Sequence, residues 1–271
     1  MKTFRMIGMA LFAVLMCVNF ASCGGSDDEP IEEEKEEDVV VSKKKLIEMT
    51  WANSSETIHS YKFTYDNKGK LSKLKHELIN KDGEVTGTAN YSYNWSDNQI
   101  KISWDEIPEF DSSCNINNNL ITEVKDFNGL KYTFTYDDSQ KMIEYKYNDK
   151  TRNTYRWGVD CITQFIYNNN NGAEIYYLIE YQSFSSNKGW LDLDCFVMGL
   201  PIYVKCLILS NPNLLGNNFF SGLPRRIKSE NSSDNWNFTY TLDEEKYVQK
   251  CRVMGEYFGV DITNHYTYKW Q

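Results

Sequence analysis

The feature that most constrains the fold is a strand–turn–strand pattern in residues 61–74. Tyr61, Phe63 and Tyr65 alternate with polar residues, and a polar stretch then leads into a second alternating run that begins at Leu71. Alternation with a period of two is typical of a strand with one buried face, and Asp, Asn and Gly between two such runs are typical of a tight turn. The stretch is therefore predicted to form a β-hairpin.

The same pattern recurs along the chain. Polar residues separate two apolar ends in residues 65–71, 136–142 and 242–248, and shorter versions occupy residues 95–100 and 157–162. Five similar hairpins favour an antiparallel meander over an accidental succession of strands. The chain of 271 residues contains 5 prolines, which suits long hydrogen-bonded ladders because proline lacks an amide donor. We therefore predict an all-β fold.

Large rings recur on one side of the predicted strands. They alternate with Ser, Thr, Lys or Asn at Tyr91/Tyr93/Trp95, Tyr132/Phe134/Tyr136, Tyr155/Trp157, Trp236/Phe238/Tyr240 and Tyr266/Tyr268/Trp270. Aromatic residues make up 15% of the chain, and burying such rings is the main source of stability that the pattern offers. Because twisted strands curl, we expect a strongly curved sheet or a barrel-like closure with the rings inside.

The N-terminus predicts an export signal. Lys2 and Arg5 precede an apolar run over residues 6–20, and a small residue leads directly into Cys23. The run is shorter than the ~20 residues that a membrane-spanning helix needs, and small residues before a cysteine suit a signal peptidase. Residues 1–22 are predicted to be a lipoprotein signal peptide, with Cys23 carrying the lipid. The alternatives are an ordinary transmembrane anchor and a plain secretory signal.

An acidic stretch follows the cysteine. Residues 27–38 hold nine acids and one lysine, so most of the chain's net charge of −9 lies there. A segment so charged and so poor in aromatic residues does not fold. Residues 23–42 are therefore predicted to be a disordered tether in front of a single β domain over residues 43–271. That domain is nearly balanced in charge, which argues against nucleic-acid binding.

Cysteine usage leaves several alternatives open. Five cysteines lie in the predicted domain: Cys114, Cys161, Cys195, Cys206 and Cys251. An odd number permits at most two bridges and one spare thiol, and spacing alone does not choose the pairing. The absence of a Cys-x-x-Cys motif removes the usual support for a zinc or redox site, so buried free thiols are the leading interpretation.

Residues 190–224 break the hairpin pattern. The stretch is apolar, alternates poorly and is much longer than the ~2–5 residues of a hairpin loop. We predict a crossover with a short helical segment that closes one open end of the curled sheet. The alternative is a pocket wall or a loop that contacts the membrane.

The faces opposite the rings carry charge, at Lys62, Lys73, Lys75, Glu77 and Lys131. Each Lys or Arg on a lipid face costs ~2–4 kcal/mol near the midplane, so lipid exposure of this face is disfavoured. The pattern favours a water-exposed, tethered sheet over a membrane-inserted barrel. The remaining alternative places the rings against lipid around a polar lumen.

Few residues suggest chemistry. The three histidines are not at metal-ligand spacing, neither a Gly-x-Ser-x-Gly nor a phosphate-loop pattern occurs, and no cofactor or metal is predicted. Ser42-x-x-Lys45 matches a nucleophile motif by letter only, since a solvated charge cluster is expected where the tether meets the first strand. His59 and His76 flank one hairpin and are expected to form a cross-strand polar pair. Carboxylates lie beside rings at residues 104–106 and 190–194, a combination that serves sugar binding or hydrolysis. The candidate ligand-binding residues are Trp104, Trp190 and Asp192; Glu106 and Asp192 are the carboxylates that a hydrolase would need.

Two resemblances follow from these residues. The Tyr-x-Tyr-Asp-x-x-Gly-x-Leu pattern of the hairpins, which residues 63–71 match with Phe63 in the first position, is similar to the YD repeats of secreted Rhs-type proteins. The lipoprotein signal, the aromatic hairpins, Trp-Leu-Asp-Leu-Asp at 190–194 and Gly-Leu-Pro-Arg-Arg-Ile at 222–227 more closely resemble a Bacteroidota lipoprotein family of unknown function with a porin-like fold. The cysteine followed by glycines, serine and acids resembles the export signal of surface-exposed Bacteroidota lipoproteins. These resemblances imply a porin-like architecture on the outer face of the outer membrane, and no catalytic residues.

Two functional hypotheses of different class result. The first is a non-enzymatic surface lipoprotein that binds a glycan, a peptide or an outer-membrane protein partner. The second is an envelope hydrolase that acts on glycans with paired carboxylates. Exposed rings around a groove would favour the first, and convergent acids in a pocket would favour the second.

Overall fold

The structure is a computed structural model that describes residues 44–53, 57–107, 109–159, 161–168, 172–183, 196–197, 199–216, 222–257 and 259–271. Within these residues the chain forms sixteen strands, one α-helix and one 3-10 turn. The parts of the sequence analysis that lie outside the described residues are the signal peptide 1–22, the tether 23–42 with Cys23, and the residues Trp190, Asp192 and Cys195.

The strands follow one another along the chain. They are β1 (Leu46–Ala52), β2 (Ile58–Tyr65), β3 (Leu71–Ile79), β4 (Val85–Trp95), β5 (Gln99–Trp104), β6 (Asp111–Asn117), β7 (Leu120–Lys125), β8 (Lys131–Tyr136), β9 (Met142–Tyr147), β10 (Lys150–Trp157), β11 (Ile162–Asn168), β12 (Glu174–Ser183), β13 (Leu223–Ser229), β14 (Asn235–Leu242), β15 (Val248–Tyr257) and β16 (Val260–Trp270). The α-helix, α1, is Ile202–Ser210, and the 3-10 turn is Pro212–Leu215.

The sheet closes on itself. Each strand pairs antiparallel with its neighbours in the chain, and β1 also pairs with β16, with Met49 opposite Tyr268 and Trp51 opposite Tyr266. The predicted all-β antiparallel fold is confirmed. The sequence left open whether the sheet is only curved or closes into a barrel, and the structure is a closed barrel.

The alternation of the strands places the rings inside the barrel. In β14, Trp236 and Phe238 are buried while Asn237 and Thr239 are exposed. Fully burying a large apolar side chain contributes about 1.5–3 kcal/mol relative to leaving it exposed. The interior rings and aliphatic side chains of the described strands belong to one core cluster.

The outer face is polar. Glu77 on β3 forms ion pairs with Lys62 at 3.0 Å and with Lys75 at 2.6 Å. Glu48 on β1 forms an ion pair with Lys269 on β16 at 2.9 Å. This arrangement is the reverse of a transmembrane barrel, which is apolar outside. The charged residues that the sequence placed opposite the rings therefore lie on the outer face of these strands. Separately, none of the described helices has the length and apolarity to cross a membrane.

All five predicted hairpins have their turns at one end of the barrel, which we call the near end, where β1 begins at Leu46 and β16 ends at Trp270. In the first of them the Asp66 carboxylate accepts the amides of Lys68 at 2.9 Å and Lys70 at 2.8 Å, and Gly69 has a φ of 77°. The left-handed conformation suits glycine because it has no Cβ. The recurring Asp and Gly are therefore turn chemistry.

The aromatic residue that precedes each of these turns has a second role. Seven of the strands that end at the near end carry a ring that donates a hydrogen bond of 2.7–2.9 Å to a carbonyl at or next to the start of the preceding strand. We call these rings the girdle: Tyr65 on Leu46, Trp95 on Leu71, Tyr136 on Ile121, Trp157 on Met142, Tyr181 on Ile162, Tyr240 on Pro224 and Trp270 on Val248. The girdle links the strands in pairs from within the barrel.

Replacing Tyr65 by phenylalanine is expected to lower the free energy of unfolding by about 1–3 kcal/mol. The ring packing is retained, but the carbonyl of the buried Leu46 loses its donor. Urea denaturation of the purified protein measures the loss. The matched control is Tyr176→Phe, because that hydroxyl bonds Glu174 on the exposed surface, where substitutions usually change stability by less than about 0.5 kcal/mol. Equal losses in the two variants would contradict the role of the girdle.

A segment of the chain enters the barrel between β12 and β13. We call residues 196–216 the plug; it is described at 196–197 and 199–216 and contains α1. Val204, Cys206 and Leu207 on α1 are fully buried within the same core as the strand rings. The predicted apolar crossover with a short helix is confirmed. Apart from the buried Lys205 and the terminal Ser210, α1 consists of apolar and aromatic residues, which suits an interior helix and explains the poor alternation of this stretch.

Hydrogen bonds to interior side chains fix the plug. The Tyr93 hydroxyl donates to the Tyr203 carbonyl at 2.7 Å, and the hydroxyls of Tyr203 and Ser112 lie 2.8 Å apart. The Tyr155 hydroxyl donates to the Phe196 carbonyl at 2.5 Å. The plug is thus bonded to β4, β6 and β10, so the barrel wall holds its backbone at several points.

The crossover has different limits from those predicted. β12 continues to Ser183 and β13 begins at Leu223, so Pro224 lies within a strand rather than at the end of the connection. Proline is tolerated there because the pairing with β12 shifts register around Tyr181, which sits opposite Pro224.

The cysteines that are described carry free thiols. Cys114, Cys161, Cys206 and Cys251 are buried and unbridged. The interpretation of buried free thiols is confirmed for these four. Burial raises the pKa of the Cys114 thiol to about 12, so this sulfur stays protonated and packs as a small apolar group.

Candidate functional site

Trp104, the predicted ligand-binding residue that the structure describes, lies at the far end of the barrel, opposite the near end. Its ring centroid is 6.2 Å from that of Tyr91 and 6.4 Å from that of Phe110. Phe110 in turn contacts Phe127 edge-on at 5.2 Å, and both phenylalanines are exposed. Tyr91 lies 5.2 Å from Tyr203, so a row of rings leads from the plug to the surface.

The carboxylates beside Trp104 do not converge. Glu106 accepts hydrogen bonds from the backbone amide of Asn90 at 3.0 Å and from its side chain, and Asp105 accepts one from Ser92 at 2.8 Å. Burial raises the pKa of Glu106, but the bonds from Asn90 outweigh that effect and leave the pKa below its usual value. A general acid needs the opposite shift. No geometry of the described residues supports the paired-carboxylate hydrolase.

His59 and His76 form the predicted cross-strand pair inside the barrel. Nδ1 of His59 lies 3.1 Å from Nε2 of His76, and the His76 ring stacks on Tyr61 at 4.6 Å. Burial, aided by His59, lowers the pKa of His76 to about 4. Among the residues that the structure describes, no three His, Cys, Asp or Glu side chains are grouped to hold a metal ion. The pair is a neutral hydrogen-bonded element of the core.

The histidine pair predicts acid sensitivity. The pKa of His76 in the folded protein is about 4, below the ~6.5 of an unfolded chain, so its contribution to stability is complete above pH ~6.5 and is lost as the pH falls towards 4. Because the ring is only half-buried, the loss is on the order of 1 kcal/mol.

Urea denaturation of the wild type and of His76→Gln between pH 7 and 4 measures this difference. The wild type should lose more stability than the variant across that window. His265→Gln, on the exposed outer face, serves as the control and should follow the wild type. Parallel curves for the wild type and His76→Gln would show that the pair does not titrate with unfolding.

The girdle is interrupted at the hairpin between β6 and β7. β6 ends at Asn117, and its turn consists of Asn118 and Asn119, with φ values of 50° and 64°. In the described part of the chain no ring at the end of β6 bonds the start of β5, unlike the seven other strand pairs. We call this position the girdle gap.

A cavity of about 570 Å³ occupies the girdle gap. Its lining is shared between the barrel wall and the plug: Lys70, Trp95, Ser96, Asp97, Ile116, Asn118, Asn119, Leu120 and Gln140 belong to the wall, and Asn211, Asn213 and Leu214 to the plug. The volume falls within the ~300–1,000 Å³ of small-molecule sites. The barrel wall and the plug therefore share a pocket at the near end.

Side chains that bind polar groups surround this pocket. Nζ of Lys70 lies 4.9 Å from the centroid of the Trp95 ring. The Trp95 indole lines the same pocket as the amides of Asn118 and Asn119. Within the described residues, the side chains of Asn118, Asn119 and Asn213 make no hydrogen bond to protein, so they are available to a ligand.

Gln140 lies in the pocket at a strained position. Three turns of the same hydrogen-bonding type have glycine at this point, namely Gly69, Gly83 and Gly129, with φ values of 77–83°. Gln140 adopts a φ of 61°, a conformation that glycine adopts at lower cost. The fifth turn of this type has Lys246 at the same point, with a φ of 69°, so a residue other than glycine also occurs there outside the pocket.

The sequence analysis missed this pocket. It favoured Trp104 and residues 190–194, where rings and acids are adjacent in sequence, whereas the pocket assembles residues from the turns after β2, β4, β6 and β8 and from the plug. One signal was available: the segment between β6 and β7 has no aromatic residue before its turn.

Comparison with known proteins gives a likeness in fold. No protein-family model matches the sequence, and no curated protein is similar to it, so the resemblance to YD repeats gains no support. A solved porin-like protein from Bacteroides uniformis matches with a TM-score of 0.55 at 15% identity, over 83% of this chain and 98% of its own. A porin-like protein from Bacteroides vulgatus matches with a TM-score of 0.53 at 13% identity, over 84% of this chain and 99% of its own. The porin-like fold that the resemblance implied is therefore confirmed.

Proposed function

We propose that the protein is a lipid-anchored barrel that binds a ligand in the girdle gap and is not an enzyme. The observation that carries the proposal is the pocket of about 570 Å³ at the one interrupted position of the girdle. Seven strand pairs close the near end with a ring, whereas the eighth has a cavity lined by amides and an indole. A cavity lined by polar side chains without hydrogen-bond partners adds little to core packing, but it offers groups that can bind a ligand.

The anchoring part of the proposal places the barrel at the outer membrane, exposed on the cell surface. It is supported by the sequence around Cys23 and by the polar outer face, which requires an anchor other than the strands themselves. Metabolic labelling with an alkyne fatty acid should label the wild type and Cys17→Ala but not Cys23→Ala. Labelling of Cys23→Ala would refute the lipid site.

The proposed binding site can be tested by comparing two tryptophans of the girdle that make matching contacts. Trp95 and Trp157 both donate to a strand-start carbonyl, at 2.7 and 2.8 Å, and both lie beneath a lysine, at 4.9 and 5.4 Å. Trp95 alone of the two lines the pocket. Both alanine variants should lose similar stability, but only Trp95→Ala should lose ligand binding.

The measurement is calorimetric titration of the full-length protein with neutral oligosaccharides, charged oligosaccharides, inorganic phosphate and short peptides. Binding by the wild type and Trp157→Ala, weakened at least tenfold in Trp95→Ala, would support the site. No binding to any of these ligands, or equal binding by both variants, would overturn it.

A further inference from the structure

We infer that the ligand of the girdle gap is a neutral glycan segment. This inference rests on the proposed function, because it names the ligand class for the same pocket. It follows from the charge of the lining, from the geometry of its amides and from the closure of the barrel.

The lining has no dominant charge. It holds one ammonium group, Lys70, and one carboxylate, Asp97. Sites for phosphate, sulfate or carboxylate ligands use several cationic donors, usually including arginine, and sites for calcium use several carboxylates. Nζ of Lys70 is moreover placed over the Trp95 ring. A neutral ligand matches these groups.

The polar lining consists mainly of side-chain amides. Asn118 and Asn119 lie on the wall, Asn213 on the plug, and Gln140 on a neighbouring turn. Each amide carries an acceptor oxygen next to a donor nitrogen. Neighbouring hydroxyls of a sugar ring offer the same pair, since one can donate while the other accepts. Trp95 lines the same pocket and adds apolar surface that the C–H groups of a sugar can contact.

A peptide fits this site poorly. Extended peptides bind by adding a strand to a sheet edge, and this barrel is closed and has no edge to offer. Other peptide sites use pockets for apolar side chains. The lining has three aliphatic residues, and each of them is buried with at most 9% of its surface exposed: Ile116, Leu120 and Leu214. The surface that faces a ligand is therefore polar.

Binding across the gap would join the plug to the wall. Asn118 and Asn119 belong to the turn after β6, and Asn211 and Asn213 to the plug, so one ligand contacts both. A ligand that binds only this folded arrangement stabilises it by mass action. The thermal midpoint of the protein should therefore rise with glycan concentration.

The test uses a variant that removes an amide but keeps the turn. Asn119→Gly retains the left-handed turn, because glycine adopts a φ of 64° without strain, and it should weaken binding of neutral oligosaccharides at least fivefold. The matched control is Asp149→Gly in the two-residue turn between β9 and β10 at the far end, where φ is 62°. This control should bind as the wild type does.

The four ligand classes separate the outcomes. Binding of neutral oligosaccharides that is lost in Asn119→Gly and retained in Asp149→Gly supports the inference. Binding of only charged oligosaccharides, phosphate or peptides, still dependent on Trp95, would overturn the glycan assignment and leave the proposed function standing. Neutral-glycan binding that Asn119→Gly does not weaken would place the glycan elsewhere and also overturn the assignment. Binding of none of the classes would overturn both.

Discussion

Replacing Leu207 by alanine is expected to lower the free energy of unfolding by about 2–5 kcal/mol. Leu207 on α1 is fully buried and belongs to the same core cluster as the interior rings of the wall. The substitution removes three carbons from a site that the closed barrel cannot collapse to fill, so the cost of the cavity adds to the lost burial. Urea denaturation, with intrinsic fluorescence as the readout, measures the change.

The same substitution on the outer face is the control. Leu178 on β12 is 41% exposed, so Leu178→Ala should change stability by less than about 1 kcal/mol. A small effect of Leu207→Ala, comparable with that of Leu178→Ala, would mean that the plug is not packed as described. A plug that leaves the barrel in the variant would instead expose apolar surface and bind a hydrophobic dye.

Replacing Gly216 by alanine is expected to cost at least about 2 kcal/mol. Gly216 ends the plug with φ 98° and ψ 178°, a region that is essentially restricted to glycine, and it forms a bridge with Lys141 on the wall. A Cβ at this position would lie 2.2 Å from the carbonyl oxygen of Gln140. The strain of about 1–3 kcal/mol and the steric overlap therefore act together, and the overlap falls on a backbone atom that cannot rotate away.

Gly199 provides a control within the same plug. It also has a positive φ, of 81°, but no atom lies within 4 Å of its added Cβ. Gly199→Ala should therefore show the backbone strain alone, about 1 kcal/mol. Thermal denaturation of both variants compares the two costs, and equal losses would show that the contact between Gly216 and Gln140 is loose. Because Gln140 lines the pocket, Gly216→Ala should also weaken ligand binding.

The repeated hairpins were predictable because their signals are local. Alternation at Tyr61 and Phe63 identifies a half-buried strand within five residues, and Asp66 with Gly69 identifies the turn. The helix inside the barrel was also predictable in kind, since a long apolar stretch without alternation does not suit a meander. Its limits were less predictable, because a register shift opposite Tyr181 accommodates Pro224 inside a strand.

The candidate site was less predictable than the fold. Trp104 was singled out because acids follow it in sequence, yet its neighbours Asp105 and Glu106 bond Ser92 and Asn90 on the surface. The girdle gap was missed because its members, from Lys70 to Leu214, meet only when four turns and the plug come together.

By itself the sequence determined that this protein is built from antiparallel hairpins with their rings on one face, because strand alternation and turn chemistry act between residues close in the chain. Only the tertiary structure decided that the sheet closes, with Met49 opposite Tyr268, and that separate turns and the plug meet around the girdle gap. Both depend on the register between strands far apart in sequence, which no local pattern encodes. In the described part of the chain, the pocket lies at the strand end that carries Asn117, where the other seven strand pairs have a girdle ring.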